Sequence, residues 1–294
     1  MTPRALFIVN PHSRRGEEHS LEVRRRLGEL GLELVADDGP GKQDWSELIR
    51  RHQSEIDRVV VGGGDGSLNA AVQGMVGTGL PLAIIPLGTA NNLARTLEIP
   101  LTIPQACEVA VRGPRRRIDL GRVNDRYFFT TASIGLSVQI TEALTSKTKR
   151  RWGPLAYGVA AVRALTRSRA FHADISWPGG NRHSRTVQIV VGNGRYYGSA
   201  LPVAADATID DARLDLYSLE VRHWLQVLAL APSLRSGRHG RKDSVEALRA
   251  TEFQITTVVP REINVDGEIC AATPARFCVV AGALEVFAPA PGSK

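Results

Sequence analysis

The sequence predicts an α/β domain built on a parallel sheet, followed by an antiparallel β-sandwich domain. Three observations carry this. The first third alternates short apolar strands with helix-period segments. A glycine turn, Gly62-Gly63-Gly64-Asp65-Gly66, follows the apolar run Val59-Val60-Val61 directly. Past Arg117 the helical period gives way to strand-like segments separated by turn residues.

The elements read in order. Ala5–Val9 is an apolar strand, and 17–30 is helical with Leu21, Leu27 and Leu30 as its apolar positions. Leu32–Ala36 is a strand and Trp45–Arg51 a helix. Val59–Val61 is a strand, 67–76 a helix on the spacing of Leu68, Ala71, Val72 and Met75, and Leu82–Ile85 a strand. Helices follow near 91–97 and 103–112, the second opened by Thr102-x-x-Gln105, a capping-box pattern. Val123 to Tyr127 reads as a hairpin turn. Helices are expected near 137–148 and 154–168, then strands near 170–177, 184–191, 213–219, 251–258, 261–265, 276–280 and 284–288. Pro178-Gly179-Gly180-Asn181 and Asn193-Gly194 are turn signals. Val221 to Ala231 reads as a short amphipathic helix. The domains are drawn as 1–122 and 123–282, with 283–294 apart.

The chain has 294 residues, 43% of them hydrophobic, enough for ordinary cores. No apolar run reaches the roughly 18 residues that a spanning helix needs. The N-terminus lacks a signal-peptide core, so a cytoplasmic protein is expected. Cys107, Cys270 and Cys278 form no CxxC pair and read as free thiols. Seven scattered histidines lack zinc-ligand spacing. Net charge is +7, and no acid occurs between Glu142 and Asp174. That stretch carries Lys147, Lys149, Arg150, Arg151, Arg163, Arg167 and Arg169. It is either a solvated face or a contact with something anionic.

Three loops at the C-terminal ends of the predicted parallel strands carry polar groups, where open α/β sheets bind ligands. The first is Asn10-Pro11-His12-Ser13-Arg14-Arg15-Gly16. The second is the glycine turn, extended by Ser67-Leu68-Asn69. The third is Pro86-Leu87-Gly88-Thr89-Ala90-Asn91-Asn92. Glycines at a strand-to-helix turn let amides approach an anion. The carboxylate of Asp65 inside that turn points to a metal ion or a sugar hydroxyl beside the phosphates. No Walker A pattern occurs, and Ser67 spoils a dinucleotide fingerprint. Downstream, Asn264-Val265-Asp266-Gly267-Glu268 is either a plain Asp-Gly hairpin turn or a general base with an aid to metal binding.

Together these residues resemble the diacylglycerol kinase catalytic-domain family, in its bacterial soluble lipid kinase branch. Sphingosine, ceramide and NAD kinases are relatives. The matching segments are Asn10-Pro11 with Gly16, Gly63 to Asn69, Pro86 to Arg95, Gly192 to Gly198, Ile209-Asp210-Asp211 and Asp266-Gly267-Glu268. The resemblance implies an ATP-binding first domain, a lipid-substrate β-sandwich, and a final strand in 283–294 returning to the first domain before a tail. It implies ATP as co-substrate at Asn10, Ser13, Gly63, Gly64, Asp65, Gly66, Ser67, Leu68, Asn69, Thr89 and Asn91. It implies Glu268 as proton acceptor, with Asp266 and Asp65 beside it in the catalytic set. A structural Mg²⁺ is implied near Asp211, with the carbonyls of Thr208 and Arg213. Ser67 stands for the family's usual Thr, Ala70 for a Glu, Asn92 for an Asp and Asp37 for a Thr. Ala205 and Ala212 replace a usual Pro and Gly.

The expected activity is ATP-dependent phosphorylation of a lipid hydroxyl, such as that of diacylglycerol. The expected partner is a lipid at an anionic membrane surface, approached peripherally from the inner face, and not nucleic acid. A homodimer stays open. The alternatives are a kinase with a soluble substrate such as NAD, and a catalytically weak lipid-binding or transfer protein.

Overall fold

The computed structural model describes residues 2–9, 16–35, 44–143, 169–193, 196–197, 201–202, 208–220, 245–290 and 292. Asn10, Ser13, Asp37, Ala205, the helices expected at 154–168 and 221–231, and most of the acid-free stretch lie outside these residues. The chain divides into two compact units, 1–120 with 280–294, and 121–279.

The first unit holds β1 (Arg4–Val9), α1 (Gly16–Glu29), β2 (Glu33–Val35), α2 (Trp45–His52), β3 (Arg58–Gly63), α3 (Asp65–Met75), β4 (Leu82–Pro86), α4 (Asn92–Thr96) and α5 (Ile103–Arg112). β5 (Arg115–Val123) leaves it. The strand order is β2-β1-β3-β4, all parallel. Parallel strands covered on both faces are apolar along their length. Accordingly Ala5 to Ile8, Val59 to Val61 and Leu82 to Ile85 are buried without alternation. α1 packs with α5, and α2 with α3. α3 starts at Asp65, two residues earlier than its apolar spacing implies, because Gly64 is the N-cap. The Thr102 box forms differently than expected. The Thr102 hydroxyl donates to Gln105 Oε1 at 2.7 Å, and no side chain caps the backbone of α5.

The second unit holds β6 (Arg126–Phe128), β7 (Thr131–Gly135), α6 (Leu136–Ala143), β8 (Phe171–Trp177), β9 (Gly180–Thr186), β10 (Gln188–Gly192), β11 (Tyr196–Tyr197), β12 (Leu201–Pro202), β13 (Leu214–Leu219), β14 (Val245–Ala250), β15 (Glu252–Thr257), β16 (Glu262–Val265) and β17 (Glu268–Ala272). One antiparallel sheet runs β14-β13-β10-β7-β16-β17. The other runs β15-β8-β9 and includes the start of β18 (Ala275–Phe287). A shared core of Ile134, Phe171, Ile175, Ile189, Val191, Phe253, Ile255 and Phe277 lies between them. The expected strands at 276–280 and 284–288 are one strand, β18, whose end pairs parallel with β4 through Val286 and Leu82. The strand expected at 184–191 is two, β9 and β10. The hairpins at Asn124-Asp125 and Pro178-Gly179 form as two-residue turns.

Candidate functional site

The first unit brings two glycine loops into contact. Leu87 donates its amide to the Gly63 carbonyl at 3.0 Å. A Cβ added at Gly88 would lie 2.4 Å from the Gly64 Cα, and one at Gly64 would lie 3.1 Å from the Gly88 Cα. The two chains therefore cross backbone to backbone, which only glycine permits at Gly88. Gly63 is needed for a second reason, since a Cβ there would meet Ser67 Oγ at 2.4 Å.

The carboxylate of Asp65 ties the crossing together. It accepts the Asn92 amide on Oδ2 and the Leu93 amide on Oδ1, both at 3.1 Å. It thus caps α4 from another loop, satisfying donors that a helix N-terminus otherwise leaves open. The sequence suggested a carboxylate turned to a metal or sugar, and gave no sign of this capping. Asn91, in left-handed backbone at φ 49°, closes its own loop. Its Oδ1 accepts the Gly88 amide at 3.0 Å and its Nδ2 donates to the Gly88 carbonyl at 2.9 Å. Both ends of the Asn91 side chain are thereby taken by backbone, so it shapes the loop rather than offering its amide outward.

α3 is different. Gly64 is its N-cap and no side chain caps it. Its first turn contains Gly66, where an added Cβ would meet nothing within 4 Å. Packing gives no reason for glycine at Gly66, and the bare backbone leaves open space in front of the helix turn. Ser67 is 8% exposed at this turn, and Thr89 is exposed on the neighbouring loop. Leu68 faces the core, 1% exposed, so its side chain packs. Asn69 is also buried, and its carbonyl and Oδ1 accept from Gln73 Nε2. Both side chains lie on the inward face of α3.

In the second unit, Asp266 and Gly267 form a two-residue turn joining β16 to β17, with φ of 47° and 101°. The plain hairpin reading is thus the geometry of the backbone. The Asp266 carboxylate is not displayed by that turn. It accepts the amides of Phe129 at 2.7 Å, Thr130 at 3.1 Å and Thr131 at 2.9 Å, and the Thr130 hydroxyl as well. Burial pushes this carboxyl up from its ordinary value, and the four donors pull against that. Asn264 Oδ1 accepts the Gly267 amide at 2.8 Å, and Asn264 Nδ2 donates to Thr141 Oγ1 at 2.7 Å. Glu268 follows the turn at the start of β17; its side chain is exposed and makes no hydrogen bond or ion pair among the described residues. The Asp266 oxygens are occupied by these donors, whereas the Glu268 side chain is exposed. Of the pair, Asp266 fastens the turn to residues 129–131 and Glu268 is left exposed beside it.

Asp211, Thr208 and Arg213 lie together before β13. Asp211 Oδ1 accepts the Arg213 amide at 3.1 Å, with Ala212 between them at φ 56°. The donors here are oxygens, which suit a hard cation such as Mg²⁺ completed by carbonyls and water. Among the described residues no group of three His, Cys, Asp or Glu side chains converges. No helix among them is long and apolar enough to cross a membrane.

Known proteins resemble the chain along nearly its whole length. The profile of the Diacylglycerol kinase catalytic domain matches residues 4–123, and that of the YegS C-terminal NAD kinase beta sandwich-like domain matches residues 130–288. A diacylglycerol kinase of Staphylococcus epidermidis is 28% identical over 98% of this chain and 93% of its own length. One from Staphylococcus saprophyticus is also 28% identical, over 98% of this chain and 96% of its own. The crystal structure of a diacylglycerol kinase from Bacillus anthracis aligns over all of this chain and 99% of its own, with a TM-score of 0.80 and 22% identity. The last likeness is one of fold. On the two profiles, which together span both units, the chain belongs to the diacylglycerol kinase catalytic-domain family.

Proposed function

We propose that the protein transfers the γ-phosphoryl group of ATP to a hydroxyl group of a lipid such as diacylglycerol. The observation that carries this reading is the uncapped N-terminus of α3, opened by a glycine that packing does not require, at the crossing of two glycine loops. The names of the relatives support the acceptor class. Phosphate oxygens would lie against the amides of Gly64 to Ser67, with the hydroxyls of Ser67 and Thr89 as further donors. Asp65 spends one lone pair of each oxygen on an amide, and the second remains for a metal-bound water. Mg²⁺, when bound, would neutralise charge on the phosphates. Asp211 with the carbonyls of Thr208 and Arg213 would hold a separate structural ion. Glu268 takes the proton of the lipid hydroxyl as its oxygen bonds to the γ-phosphorus. The bond to the bridging oxygen then breaks and ADP leaves. Catalysis in such transfers rests on positioning and charge rather than covalent chemistry.

The experiment is phosphorylation of dispersed diacylglycerol and of NAD with labelled ATP, by the wild type and by Gly66→Ala. Label in lipid, lost or weakened at least tenfold in a Gly66→Ala variant that melts no lower, supports the reading. Label in NAD alone, or normal ATP binding by Gly66→Ala, overturns it.

A further inference from the structure

Four large apolar side chains are exposed among the described residues, and two of them are neighbours: Val258 at 89% and Val259 at 67%. They stand with exposed Pro260 in the four-residue connection 258–261, which joins β15 to β16. The connection is built to hold them there. The Thr257 hydroxyl donates to the Val259 carbonyl at 2.9 Å. The Arg261 amide donates to Thr273 Oγ1 at 2.9 Å, and the Thr273 amide returns to the Arg261 carbonyl at 2.9 Å. Pro260 has no N–H to satisfy. These bonds engage the Val259 carbonyl and both backbone groups of Arg261, which lowers the cost of taking that part of the loop out of water.

Cations flank the valines. The Arg261 guanidinium lies over the Phe171 ring, 4.1 Å from its centroid, and Arg169 is exposed two residues ahead of Phe171. The chain leading into Arg169 carries no acid from Ala143 onward. Two acids are near. Glu262 is exposed beyond Arg261, and Asp174, opposite Thr256, is engaged by His183 at 2.7 Å. Two valines and a proline cover far less than the roughly 800 Å² per partner of a stable protein interface. A small convex apolar tip beside two guanidinium groups matches the boundary between acyl chains and anionic headgroups.

We propose that Val258-Val259-Pro260 is a membrane-docking tip that enters the headgroup layer of an anionic lipid surface, with Arg169 and Arg261 at the level of the phosphates. The proposal rests on the lipid-kinase reading for its purpose but is tested apart from it. The full chain is sedimented with phosphatidylcholine vesicles and with vesicles containing phosphatidylglycerol. Val258→Asp/Val259→Asp lowers vesicle partitioning about tenfold at unchanged melting temperature. Arg169→Gln lowers it about fivefold on anionic vesicles only. Phosphorylation of a short-chain, water-dispersed diacylglycerol stays at the wild-type level in Val258→Asp/Val259→Asp. Wild-type vesicle binding by that double variant overturns the tip and leaves the kinase reading untouched. Loss of binding in the double variant, with no lipid phosphorylated even by the wild type, upholds the tip and defeats the kinase. A double variant that changes only the oligomeric state in light scattering assigns the tip to a second copy of the chain, and overturns the lipid proposal.

Discussion

Asp65 and Asn92 are joined by a hydrogen bond of 3.1 Å, from the Asn92 amide to Asp65 Oδ2, and the Leu93 amide fills the other oxygen at the same distance. One carboxylate inside a glycine turn therefore serves as the N-terminal cap of α4, a helix 27 residues further along the chain. The consequence is an asymmetry. α4 has its positive end neutralised, while α3 keeps its own open.

A change at Asp65 should act on stability as well as on turnover. Asp65→Asn keeps one acceptor but loses the second and the charge. Loss of such a cap costs about 1 kcal/mol, with a range up to about 2. That corresponds to about 2–4 °C per kcal/mol for a protein of this size class. A thermal melt of Asp65→Asn beside wild type measures it, and steady-state kinetics measures the turnover. An unchanged melting temperature would show that the capping bonds contribute nothing.

Asp266 and Glu268 should separate cleanly, although two residues apart. Asp266→Ala orphans the amides of Phe129, Thr130 and Thr131 in a buried place. Each such donor costs about 1–3 kcal/mol, not fully additive, so severe destabilisation is expected. Glu268→Gln touches an exposed side chain and should stay within about 0.5 kcal/mol of wild type. Its phosphoryl transfer should nonetheless fall roughly 10²–10⁴-fold, the contribution of a positioned general base. Urea unfolding of both variants, with ATP titration of Glu268→Gln, tests the division. A stable Asp266→Ala or an active Glu268→Gln would reverse the roles.

Much of the first unit was legible because its strands are uniformly apolar. The Gly-Asp turn stood out for the same reason, as strand, glycines and helix follow one another in sequence. In α1 the period misled at Leu21, which is exposed while Val23 is buried with Leu27. The capping of α4 was not legible, since it links positions 65 and 92 through backbone amides that carry no sequence signal. The spacing of Gly88 and Asn91 was the available hint of a self-closed loop. In the second unit β7, β14 and β17 escaped the reading. Thr131–Gly135 and Glu268–Ala272 are short and mix small and polar residues, and Val245–Ala250 includes Ala and Arg, which favour helix as much as strand. Asp266 misled because a hairpin Asp usually serves its own turn, whereas this one reaches residues 129–131 from far along the chain.

Cys107 gives a pH prediction. It is fully buried on α5, and burial pushes its thiol from the ordinary 9.0 up to about 11. The folded chain then keeps a proton that the unfolded chain releases. Stability from this group is full below pH 9 and is lost as pH rises toward 11. The gap of 11 minus 9 corresponds to about 3 kcal/mol. Cys107→Ala should therefore lose less stability than wild type between pH 8.5 and 11, by about 2–3 kcal/mol. Urea midpoints of the two proteins across that range decide it. Parallel curves would remove the buried thiol from the account.

Ala212 sits at φ 56° between Asp211 and Arg213, whose side chain and amide close the turn over it. An L-residue pays about 1–2 kcal/mol in the left-handed region, and glycine avoids this at the cost of a looser unfolded chain. The net gain of Ala212→Gly should be about 0.5–1 kcal/mol. Asp211→Ala should lose stability instead, because the Arg213 amide loses its acceptor. The same pair tests the ion proposed here. Wild type and Ala212→Gly should both melt higher when Mg²⁺ is added, since a ligand that binds only the folded state stabilises it. Asp211→Ala should not respond. An equal Mg²⁺ response in all three proteins would place the ion elsewhere, and a lower melting temperature for Ala212→Gly without Mg²⁺ would show that the left-handed turn holds no strain.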